Sequence, residues 1–121
     1  ALPIYETINA GVHVPFLFMG RPSWVGSDYP GNYPRLDSLM AHSSNPKYQL
    51  IIKKTEHLDY SDIPLFSPII KYVLDVGDLT SSVSIPLMNG LVYGFLEKHL
   101  TKNPQSGFDT IIQHELITPV P

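Results

Sequence analysis

Two short apolar runs limit what this chain can build. Residues 12–19 read VHVPFLFM and residues 48–52 read YQLII, and neither run alternates strictly between apolar and polar. The first run, apolar almost throughout, suits a strand covered on both faces, the pattern of parallel sheets flanked by helices. Pro15 carries no N–H, so the first strand is expected to begin at Pro15 or Phe16. Between the runs lies PRLDSLMAH, residues 34–42, in which Leu36, Leu39 and Met40 recur at helical spacing behind a proline suited to a first turn. A helix between two strands is the crossover that a parallel pair requires. The expected fold class is α/β.

The second run leads into the most informative stretch, KYQLIIKKTEHLDYSD, residues 47–62. A strand follows the turn signal Asn45-Pro46, a loop then carries His57, and Asp62 precedes Ile63-Pro64 where a helix N-cap belongs. In open α/β sheets, ligands and catalytic groups gather beyond the carboxyl ends of the strands. His57 falls in that place, although a histidine in a loop is more often a solvated residue. The other strand ends in GRPSWVGSDYPGNY, residues 20–33, a loop longer than a connection needs, and loops of that size tend to be functional.

The remaining segments complete the expected outline. Residues 2–10 read as a short loop or helical turn, and residues 65–74, LFSPIIKYVL, as a buried helix. Residues 75–84 are polar and turn-like. Residues 85–100 form the strongest helical pattern, with Ser84 as N-cap, Pro86 in the first turn, and Leu87, Met88, Leu91, Val92, Phe95 and Leu96 on one face. Gly90 and Gly94 lower its propensity and mark a close helix contact. Residues 101–121 are expected to be a loop-rich tail with one docked apolar segment. The whole, residues 1–121, makes one domain portion with two convincing strands and therefore an incomplete sheet. The start, ALPIYE, is neither an initiating methionine nor a signal peptide, so the chain reads as part of a longer parent. The expected partner is the remainder of that parent, or a second copy joined through the open sheet edge.

Composition excludes several classes. The formal net charge is -3 with no basic run, so nucleic-acid binding has no electrostatic support. There is no cysteine, which excludes disulfides and thiolate metal sites. His13, His42, His99 and His114 show no metal-ligand spacing, and no cofactor is implied. No apolar run approaches the roughly 18 residues of a membrane span.

The order strand, loop, helix, strand, His loop, helix is how an α/β-hydrolase ends, with the catalytic His after the last strand. The chain resembles one branch of that fold, the platelet-activating-factor acetylhydrolase family and its bacterial esterase and lipase-like relatives. The matching features are Val14-Pro15-Phe16-Leu17-Phe18 for the penultimate strand and His57-Leu58-Asp59-Tyr60-Ser61-Asp62 for the His loop. That loop follows the family's pattern of His, two variable residues, an aromatic, a small residue and Asp. Phe95-Leu96-Glu97-Lys98-His99-Leu100, followed by Phe108-Asp109, resembles the family's closing helix and the segment after it. The resemblance covers most of residues 2–112. It implies the C-terminal fragment of an α/β-hydrolase fold, carrying the last two parallel strands and their flanking helices. It also implies a serine hydrolase of small or short-chain lipid esters in which His57 is the general base.

The departures are equally specific. No G-x-S-x-G occurs in the chain, so the nucleophile elbow is absent, and the fragment alone is expected to be inactive. In the acetylhydrolase-like branch the triad acid would lie just upstream of Ala1; in the commoner arrangement it would lie in the loop 20–33, where Asp28 is the one carboxylate. Trp24 and Tyr29 of the same loop either line a substrate pocket or pack the loop onto the sheet. Asp62 supports the His loop or caps the next helix, Asp59 is expected to be solvated, and His99 to complement a helix dipole. Ser61, Ser81 and Ser82 are read as structural. The rival to the hydrolase reading is a non-catalytic α/β binding or interaction module.

Overall fold

The computed structural model describes residues 5–22, 31–67 and 69–121. Its centre is a three-stranded sheet of order β1-β2-β3, built from β1 (Phe16–Gly20), β2 (Lys47–Ile52) and β3 (Ile117–Val120). β1 and β2 run parallel, from Phe16 opposite Lys47 to Gly20 opposite Ile51. The crossover between them is α2 (Asn32–His42), preceded by α1 (Tyr5–Ala10). The parallel pair, its crossover helix and the start of β1 at Phe16 are as the sequence predicts.

Side-chain alternation along β2 assigns its two faces. Tyr48, Leu50 and Ile52 point to one side, where Leu50 and Ile52 join Leu87, Met88, Leu91, Phe108 and Ile117 in the buried core. The last of these comes from β3, and the others from α4 (Ser81–Leu100) and α5 (Phe108–Ile111). Gln49 points to the other side, where its Nε2 donates to Asp37 of α2 at 3.2 Å. Leu36 and Leu39 of α2 and Ile8 of α1 are buried on their own account. Helices thus cover both faces of the central strand, and the chain is α/β with a small mixed sheet.

Four expectations need correction. Residues 101–121 carry the expected docked apolar segment, α5 on α4, but they also close the sheet, because β3 pairs antiparallel with β2, from Gln49 opposite Val120 to Ile52 opposite Ile117. The sheet therefore has three strands where two were expected. Pro119 hides the third from a sequence reading, yet a proline is tolerated on an edge strand because its missing N–H costs no ladder bond on the solvent side.

The predicted buried helix over residues 65–74 breaks into α3 (Ile63–Phe66) and a 3-10 turn at Ile70–Tyr72. Phe66 is 79% exposed and Ile69 65%. The break falls at Ser67, which precedes a proline and takes an extended backbone (φ -164°, ψ 135°). Proline disfavours helical dihedrals in the residue before it. Finally, α4 starts a turn early. Its N-cap is Thr80, whose carbonyl accepts the N–H groups of Val83 at 2.8 Å and Ser84 at 2.9 Å. Ser84 lies inside the helix, fully buried, and Pro86 is interior to it. The expected close contact at the glycines is present: a Cβ on Gly94 would stand 3.1 Å from the backbone nitrogen of Phe108.

Candidate functional site

Because β1 and β2 are parallel, both carboxyl ends lie at the same end of the sheet. β1 delivers Gly20 and Arg21 there, and β2 delivers the residues up to the 3-10 turn His57–Tyr60. Between these tips opens a cavity of about 340 Å³, walled by Phe18, Met19, Arg21, Tyr33, His57 and Tyr60, with Leu58 and Ser61 alongside. His57 is exposed on this wall and makes no hydrogen bond to any described residue. The other four histidines are occupied. His13 binds Ser44 and Ala10, His42 binds the Ser38 carbonyl, and His114 accepts from the Leu116 N–H. His99 packs among aromatic rings instead of serving the helix dipole, with its ring 4.8 Å from Phe95 and 5.7 Å from Tyr48.

The imidazole of His57 is left open while the backbone beneath it is held from three directions. Asp59, expected to be solvated, is only 2% exposed. Its Oδ2 accepts the N–H of Glu56 at 2.6 Å and of Gly77 at 2.8 Å, which ties the turn to the segment before α4. That segment lies flat against the end of β2. A Cβ on Gly77 would stand 2.1 Å from the Lys54 carbonyl oxygen, so a larger residue there cannot keep this approach. The N–H of Leu58 donates to the Asp75 carbonyl at 3.3 Å. From the β1 side, Arg21 Nη1 meets Glu56 Oε2 at 2.7 Å and Asp75 Oδ2 at 3.0 Å. A composition of Asp, Glu and Gly on either side of His57 carries no motif. The signal available in the sequence was the histidine's place beyond a strand end, not the clamp around it.

The hydroxyls of the cavity wall are engaged. Tyr33 donates to the Arg21 carbonyl, and burial pushes its phenol upward. Tyr60 shares a hydrogen bond with Thr55 Oγ1 at 3.1 Å, and burial raises its phenol to about 12, so it stays neutral and protonated at ordinary pH. Ser61 Oγ donates to the Leu58 carbonyl at 2.7 Å and accepts the Ile63 N–H at 3.3 Å. Ser61 therefore does the capping expected of Asp62. Asp62 occupies the N-cap position of α3 but makes no side-chain cap bond and stands exposed. Asp28, Trp24 and Tyr29 lie outside the described residues. Among the described residues no helix is long and apolar enough to cross a membrane. No family model matches this chain, and no curated protein sequence matches it either.

Proposed function

We propose that this chain supplies the catalytic histidine of a serine ester hydrolase of the α/β-hydrolase type, as the C-terminal portion of that fold. The observation that carries the reading is the state of His57. Its ring is exposed on a cavity at the carboxyl ends of two parallel strands, free of described hydrogen bonds, while its neighbours anchor the turn that bears it. A general base needs this combination, a fixed backbone and a ring nitrogen available to a reacting hydroxyl. In the proposed reaction a serine hydroxyl attacks the ester carbonyl, His57 accepts its proton, and the protonated imidazole returns it to the departing alkoxide. Neither Ser61 nor the Ser81-Ser82 pair fills the nucleophile's place, since Ser61 is bonded within its own turn and Ser82 pairs with Thr80 at 3.0 Å. In this reading the nucleophile comes from sequence outside this chain, which holds no G-x-S-x-G, and the substrate is a small or short-chain lipid ester.

The apolar and aromatic walls also suit a binding module that holds a small apolar ligand without chemistry. One experiment separates the two. The polypeptide in which this chain is preceded by its native upstream sequence is treated with a fluorophosphonate probe. Labelling of an upstream serine is expected, slowed on the order of 10²–10⁴-fold by His57→Ala, the usual contribution of a positioned base. Labelling that is absent, or that proceeds at the same rate in the variant, sinks the hydrolase reading and leaves the binding module.

A further inference from the structure

We propose that Arg21 is a specificity-determining residue of the cavity beside His57, selecting ligands that carry a neutral oxygen acceptor over purely alkyl ligands and over carboxylates. The class of ligand rests on the ester-site reading above; the selection itself is a matter of binding. A guanidinium presents five N–H donors. In Arg21 a single nitrogen, Nη1, takes both carboxylates, Glu56 at 2.7 Å and Asp75 at 3.0 Å. The donors on Nε and Nη2 meet no described acceptor, on a side chain only 20% exposed and on the wall of the cavity. Donors partly shielded from water gain by finding an acceptor.

The rest of the wall gives a ligand little else to bind. Tyr33, Tyr60 and Ser61 already spend their hydroxyls within the protein. The surfaces between them are Phe18, Met19 and Leu58. Among the described residues, Arg21 and His57 are therefore the side chains with N–H donors left for a ligand to engage. Charge then decides which acceptor suits Arg21. One guanidinium faces two carboxylates, so the cluster is negative overall, and a ligand carboxylate would be drawn to Arg21 and repelled by Glu56 and Asp75 at nearly the same range. A ketone, amide or ether oxygen takes the free N–H donors without that opposition. The favoured ester has such an oxygen a few bonds from the scissile carbonyl.

Three esters of matched length test this directly on the 121-residue chain by ligand-detected NMR. Methyl levulinate carries a ketone, methyl valerate carries methylene in its place, and monomethyl succinate carries a carboxylate. Methyl levulinate is expected to bind about tenfold more tightly than either of the others, the lower end for a hydrogen bond to a charged group. Arg21→Met should erase its advantage over methyl valerate. The double variant Glu56→Gln, Asp75→Asn keeps the guanidinium but removes the opposing charges, and it should move the preference to monomethyl succinate even if Arg21→Met fails to fold. Equal affinities in the wild-type chain, no binding of any of the three, or an unchanged order in the double variant overturns the inference. These ratios need no nucleophile, so failure here is separate from failure of the fluorophosphonate experiment.

Discussion

His57 and His99 show two fates of an imidazole in one chain. His57 stands at a strand end with its ring open, whereas His99 sits on the last turn of α4 against Tyr48 and Phe95, its Nε2 buried without a described partner. Burial lowers the pKa of His99 from its ordinary 6.5, and the neighbouring Lys98 lowers it further, with Asp109 opposing weakly. The native state then holds fewer protons than the unfolded chain between the lowered value and 6.5. Stability from this group is complete above pH 6.5 and is lost as pH falls toward the native value. Urea unfolding between pH 7.5 and 5 should show a falling midpoint that His99→Phe flattens. An unchanged slope in that variant would show that the ring is not held neutral by its packing.

At the scale of elements, the closing segment is a structural part of the core and not an appendage. Phe108 is fully buried at the start of α5, edge-on to Tyr48 with ring centroids 4.8 Å apart and within 5.7 Å of Phe95. Gly94 of α4 leaves the room for it, since any side chain there would press on the Phe108 backbone. Phe108→Ala is expected to cost about 3–5 kcal/mol, the usual range for a buried aromatic reduced to alanine. Equilibrium urea unfolding measures this, and a loss under about 1 kcal/mol would mean that α5 contributes little. The helical periodicity of 85–100 was legible because it is local. The true start of α4 was not, because the serines at 81–84 look like turn residues until tertiary packing buries Ser84. The reverse error occurred at 65–74, where an apolar stretch without a packing surface did not form one helix.

At the largest scale, an open strand edge and exposed apolar side chains stand out among the described residues. β1 lies at the edge of the sheet, with no described strand beyond it, and Leu65, Phe66, Ile69, Tyr72 and Val73 project into solvent. Exposed strand edges and contiguous apolar patches favour association. Sedimentation velocity across a hundredfold concentration range should therefore show reversible self-association. A strict monomer throughout would favour the binding-module reading, in which the sheet edge is satisfied. Local pattern was enough to predict the parallel pair, its crossover helix and the delivery of His57 beyond a strand tip, because each follows from apolar runs, helical spacing and turn residues. Long-range packing sets the rest: residues 117–120 join the sheet, Asp59 is buried, and Arg21, Glu56, Asp75 and Gly77 converge on one turn. These are contacts between residues far apart in the chain, and nothing in a local pattern states which distant carboxylate or backbone N–H a side chain will meet.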